Sequence, residues 1–116
     1  MTVVMWHNPR CSASRKTLQL LRDHGVEPEL MQYLKTPPDA AELKRVLKLM
    51  GKPASALIRR KEKATIKEAG LDSGSPSEAD YIAAMQRFPV LIERPLVIKG
   101  NKAALGRPPE AVLAIL

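Results

Sequence analysis

In Thr2-Val3-Val4-Met5-Trp6-His7-Asn8-Pro9-Arg10-Cys11-Ser12-Ala13-Ser14-Arg15 a near-continuous apolar run is broken by Asn8-Pro9 and gives way to a basic, helix-forming segment. Thr2 to Trp6 reads as a strand buried on both faces. From Ser12 the pattern turns helical, so Cys11 stands at a strand-to-helix junction. The first backbone N–H groups of a helix lack intrahelical partners, and with the macrodipole they favour an anion, either a thiolate or a bound oxyanion. Between Met1 and Arg22 there is no carboxylate, while Arg10, Arg15, Lys16 and Arg22 are cationic. Basic residues therefore occupy a helix start where stability alone favours Asp or Glu. A local rule broken without structural benefit marks Cys11 as a candidate reactive thiol.

Working outward, Leu18 and Leu21 share one helical face and Gly25 offers a stop. Glu29 to Leu34 then predicts a second strand, which completes a βαβ unit with a right-handed crossover. Thr36-Pro37-Pro38-Asp39 predicts a helix start with Thr36 as N-cap and Pro37 in the first helical position. Leu43, Val46, Leu47 and Met50 recur at helical spacing up to Gly51, and a short helical piece follows Pro53. Ser75-Pro76-Ser77-Glu78 predicts a capping box opening a helix whose apolar face uses Ala79, Ile82, Ala83 and Phe88. Pro95 to Ile98 and Lys102 to Leu105 predict two strands joined by a turn at Gly100-Asn101, and Pro108-Pro109-Glu110 opens a final helix. The expected order is βαβ, a helical block over about 37–88, then ββα, in a single domain over 1–116.

Bulk composition narrows the function classes. The chain is 45% hydrophobic and 27% charged, as in a globular protein. No apolar run approaches the roughly 20 residues that span a bilayer, and the N-terminus lacks a signal-peptide pattern, so no membrane association and a cytoplasmic location are expected. One cysteine cannot form an internal disulfide or a cysteine-rich zinc site. The histidines His7 and His24 have no neighbouring ligands, so no metal is expected. The formal charge of +7 attracts anions of any kind. Non-specific nucleic-acid binding has no motif behind it, and an aromatic content of 3% weakens any base-stacking model.

The βαβ and ββα halves around a cysteine at the first strand-to-helix turn resemble the thioredoxin and glutaredoxin fold, an α/β class with a four-stranded mixed sheet, here with a helical insertion. His7 to Arg15 is similar to the active-site signature of the glutaredoxin-coupled arsenate reductases, the ArsC family. Ala56-Leu57-Ile58-Arg59, Glu93-Arg94-Pro95-Leu96-Val97 and Gly106-Arg107-Pro108-Pro109-Glu110 follow in the family's order and spacing. The resemblance implies Cys11 as the nucleophile on arsenate, with His7, Ser14 and Arg15 in the catalytic set. It implies Arg59, Arg94 and Arg107, with Asn8, as oxyanion-binding residues, although Arg60 beside Arg59 leaves a one-residue ambiguity. It places a hydroxyl, that of Ser14, where a dithiol enzyme carries its second cysteine, able to donate to the sulfur. It also makes Pro95 the cis-proline of the fold.

Guanidinium groups are permanently charged and fork to two oxygens, so converging arginines suit both a tetrahedral oxyanion and a thiolate. Reduction of pentavalent arsenic takes two electrons, which two thiols supply by becoming a disulfide, and this chain has one thiol. The second must come from outside; in the family it is glutathione, with glutaredoxin resolving the mixed disulfide. No bound cofactor is expected, since no glycine-rich fingerprint is present, and a monomer is expected. Two alternatives share the fold: an Spx-like regulator that binds RNA polymerase, and a thiol oxidoreductase acting on another substrate. Cys11-Ser12-Ala13-Ser14 in place of Cys-x-x-Cys argues against a disulfide switch. Arg15 lies four residues after Cys11, which disfavours the Cys-x5-Arg of phosphatase-like arsenate reductases.

Overall fold

The computed structural model describes residues 2–116. The chain divides into two compact units, one of the described residues up to Thr36 together with Arg94–Leu116, the other Pro37–Glu93. In the first unit, β1 (Val3–Trp6), α1 (Ser12–Asp23) and β2 (Glu29–Met31) form the βαβ half. The hairpin β3 (Leu96–Lys99) and β4 (Lys102–Leu105) and a 3-10 helix over Pro109–Ile115 form the other half. The strand order is β2-β1-β3-β4, with β1 parallel to β2 and antiparallel to β3, and β3 antiparallel to β4. This is the mixed four-stranded sheet expected of the thioredoxin-like arrangement.

Both faces of that sheet are buried, Trp6, Leu96 and Ile98 on one and a compact apolar cluster on the other. Strand alternation turns Val3, Met5 and Val97 to the same side, where they pack with Leu18 and Leu21 of α1 and with Val112. Met5, Leu21, Val97 and Val112 are fully buried, each contributing about 2 kcal/mol of burial free energy. Because α1 presents this face, Ser14 and Thr17 are carried inward with Leu18 and Leu21.

Two expectations for this unit are corrected. The second strand stops at Met31 rather than Leu34, because its ladder partner ends: Trp6 pairs with Met31, and His7 N–H donates to Met31 O (2.9 Å) as the last rung. Beyond it the chain turns, and Lys35 and Thr36 N–H groups both donate to Gln32 O. The C-terminal segment winds as a 3-10 helix starting at Pro109. Pro108 and Pro109 withhold N–H donors there, and so short a segment gains little from α-helical propagation.

The second unit is helical, with α2 (Ala40–Met50), α3 (Lys63–Glu68) and α4 (Glu78–Arg87), and 3-10 turns at Ala54–Leu57 and Pro89–Leu91. Helix α4 packs against α2 and against Ala54–Leu57. A bridge joins Ile58 to Ile92, flanked by Arg59 N–H to Leu91 O (2.7 Å) and Glu93 N–H to Leu57 O (2.7 Å). The N-cap of α2 is Asp39, not Thr36: its carboxylate accepts from Glu42 N–H at 2.8 Å. A cap at Thr36 would leave the Asp39 N–H as its one possible donor, since Pro37 and Pro38 have none. The capping box of α4 is Ser77 with Asp80, not Ser75 with Glu78. Glu78 is occupied elsewhere, its carboxylate accepting from Ala54 N–H at 3.0 and 3.1 Å. The later start turns Ile82, Ala84 and Met85 inward and leaves Ala79 and Ala83 exposed, with Phe88 half-buried.

Candidate active site

Cys11 is the N-cap residue of α1, with extended backbone angles and no acidic residue in the turn that follows. Ordinarily a side-chain oxygen at this position accepts from the N–H groups two and three residues on. Here the sulfur faces those of Ala13 and Ser14, without closing a tight cap hydrogen bond to either. Burial pushes the Cys11 thiol upward; the Ser14 N–H, a hydrogen bond from the Arg94 guanidinium, the Ala13 N–H and the Arg94 charge outweigh it, so its pKa lies below the ordinary thiol value. The thiol is free and partly exposed, the combination a nucleophile needs.

The loop before Cys11 is held by short-range bonds. Asn8 closes it twice, its Oδ1 accepting from Arg10 N–H (3.0 Å) and its carbonyl from Cys11 N–H (3.0 Å). Arg15 reaches back to donate to Pro9 O at 3.0 Å. Ser14 is fully buried, and its hydroxyl lies 2.7 Å from His7 Nδ1 while accepting from Asn8 N–H at 3.1 Å. The influence of Ser14 on Cys11 thus comes from its backbone N–H, its hydroxyl being engaged with His7 and Asn8. Burial, then the charges of Arg22 and Arg15, lower the His7 pKa. His7 thus holds Ser14 through Nδ1, and its burial disfavours the charged form of the ring.

The hairpin supplies the two arginines of this unit. Leu96 pairs with Leu105, Gly106 N–H continues the ladder to Pro95 O (2.8 Å), and Arg107 Nε donates to Arg94 O (2.8 Å). Arg94 and Arg107 are thereby set side by side at one end of the hairpin. The side chain of Arg94 is buried to 7% exposure, whereas Arg107 is exposed. The Arg94–Pro95 bond is cis, as the resemblance implied, and so is Arg107–Pro108, which the sequence reading did not anticipate. The sequence did not single out Thr17, and Gly106 stood there only as the first residue of the Gly106-Arg107-Pro108-Pro109-Glu110 segment, with no role of its own. A Cβ on Gly106 would sit 2.6 Å from Thr17 Oγ1 and 2.7 Å from Pro95 Cγ, so α1, the cis-proline and β4 meet where only glycine fits. The glycine immediately before Arg107-Pro108 was the available signal.

In the helical unit, Arg59 is largely enclosed. Its Nε lies 3.4 Å from Glu62 and its Nη1 3.9 Å from Glu93, ion-pair distances without aligned hydrogen bonds. Arg60 is exposed and donates to Ser55 O at 3.3 Å. Of the two neighbours, Arg59 is the one held by carboxylates. Among the described residues no group of three or more His, Cys, Asp or Glu could hold a metal ion, and no helix is long and apolar enough to cross a membrane.

A mixed sheet in the order β2-β1-β3-β4, with a cysteine at the N-cap position of the first helix and a cis-proline entering β3, defines a thioredoxin-like protein. Within that class the chain belongs to the ArsC family, which it matches over residues 6–115. It is 48% identical over 98% of its length to the uncharacterized protein YfgD of Escherichia coli K12, covering 96% of that protein. It is 40% identical to an arsenate reductase of Haemophilus influenzae over the whole of both chains. Among solved structures, an arsenate reductase from Vibrio cholerae superposes with a TM-score of 0.94 at 45% identity, over 100% of this chain and 98% of that one.

Proposed function

We propose that this protein is an arsenate reductase in which Cys11 is the sole protein nucleophile, glutathione the second thiol and glutaredoxin the resolving partner. One observation carries the reading: the only cysteine is placed at a helix start under the Arg94 guanidinium, with its pKa lowered. A thiolate so placed attacks arsenic while Arg94 and Arg107 neutralise the oxyanion.

The balance is closed by one external thiol. Arsenate, the Cys11 thiol and one glutathione become arsenite, a Cys11–glutathione disulfide and water. Two electrons pass from the two sulfurs to arsenic, and the thiol protons leave with the departing oxygen. Glutaredoxin then takes over the glutathionyl group by thiol–disulfide exchange and returns Cys11 to its reduced form. The cytoplasm, where the glutathione pool keeps thiols reduced, is the compartment this chemistry suits. The test is arsenate-dependent NADPH oxidation coupled through glutathione, glutaredoxin and glutathione reductase. Turnover by the wild type and none by Cys11→Ser is the expected result. No turnover above background, with Cys11 still alkylated rapidly at neutral pH, would keep the thiol site and discard arsenate as its substrate.

A further inference from the structure

We propose that glutathione is received in a cleft of about 300 Å³ between the His7–Arg10 loop and the turn carrying Gln32, Leu34 and Lys35. The strand order is the first argument. Cys11 follows β1, the central parallel strand, and β1 has β2 on one flank and β3 on the other. The β3–β4 flank brings Arg94 and Arg107, the groups suited to a tetrahedral oxyanion. The β2 flank brings this cleft, at the carboxyl ends of two adjacent parallel strands, where open α/β sheets bind ligands. Two reactants must meet one sulfur, and the sheet offers a separate approach for each.

Size and chemistry assign the occupant. The cleft is at the small end of the range of small-molecule sites and large for a lone oxyanion. Arg10 and Lys35 give it positive charge, Asn8 and Gln32 give it amides, and Leu34 gives it an apolar wall. No Asp or Glu lines it. Leu34 is one of two large hydrophobic side chains exposed among the described residues, at 44%. A small peptide whose carboxylates outnumber its amino group, with amide bonds and a methylene chain between them, matches these walls. Cys11 does not itself line the cleft, but Arg10, which does, is covalently next to it, so this wall ends one residue from the thiol.

The inference rests on the reductase reading for its reaction, not for its binding step, so binding is measured without arsenate. S-methylglutathione, which cannot exchange, is titrated into the wild type, Lys35→Glu and Lys35→Arg, followed by amide chemical shifts. Saturable shifts at Asn8, Arg10, Gln32, Leu34 and Lys35 are expected, with binding weakened about fivefold by Lys35→Glu and kept by Lys35→Arg. The lysine is exposed, so an unchanged Tm confirms that both variants fold. In the coupled assay Lys35→Glu raises the KM for glutathione and leaves the KM for arsenate unchanged. No saturable binding, or shifts confined to the hairpin end near Arg94 and Arg107, overturns the assignment. It is also overturned if Lys35→Glu alters only the dependence on glutaredoxin, which gives the cleft to the protein partner. Binding as expected with no arsenate turnover leaves the cleft standing and removes the reductase reading instead.

Discussion

Arg94 acts on Cys11 in two ways, by a hydrogen bond to the sulfur and by its charge, and both favour the thiolate. The backbone donors of Ser14 and Ala13 add to this whatever occupies position 94. Alkylation by iodoacetamide follows the thiolate fraction, so for the wild type its pH midpoint lies below that of an ordinary thiol. Arg94→Gln removes the charge and moves that midpoint upward, slowing alkylation at pH 7 by about fivefold or more. An unchanged midpoint would assign the activation to the helix start alone. At this scale the placing of Cys11 at a helix start was legible, because a lone cysteine among basic residues at a strand-to-helix turn is a local pattern. The role of His7 was not. Whether its ring is charged depends on its burial and on Arg22 and Arg15, which lie one and more helical turns along the chain and reach it only after folding.

Among the elements, the closest constraint joins α1, the entry to β3 and the exit of β4 at Gly106. Gly106→Ala drives a methyl group against Thr17 Oγ1 and Pro95 Cγ and is expected to destabilise the protein by about 2 kcal/mol, read as a lowered Tm. Thr17→Ala in the same chain removes one of the two clashes, so the double variant recovers part of the loss. Additive losses would show that the contact is not shared. Element starts and stops followed local chemistry wherever one residue decides, as with the αL glycine Gly51 after α2 and the Gly100-Asn101 turn. They departed from it where a remote partner decides. The strand over Glu29–Met31 ends with β1, and Glu78, which fits a capping box by spacing, serves Ala54 instead. A reading along the chain has no access to either fact.

Over the whole molecule, the net charge of +7 creates a field that would draw both proposed reactants, arsenate and glutathione. Both are anions at pH 7, so kcat/KM for arsenate is expected to fall severalfold between about 50 and 500 mM NaCl as the Debye length contracts. A flat response would confine the electrostatics to the contacts within the site. The class of fold was legible at this scale because the order of elements survives errors in their boundaries: the misplaced ends of β2, α2 and α4 left βαβ, helices, ββα unchanged. The joining of Pro95 to Gly106 across the β3–β4 ladder has a consequence for how such a site can vary. Arg94 precedes β3 and Arg107 follows β4, so the two face each other across the open end of the hairpin, as with the jaws of a caliper whose setting is held by the ladder behind them. Residue identity at Gly100-Asn101 can drift as long as the ladder keeps its pairing, while a one-residue slip of the β3–β4 register would slide one jaw past the other and turn Arg107 to the opposite face. The placing of the two arginines thus depends on strand register along the whole ladder, including pairs remote from either side chain.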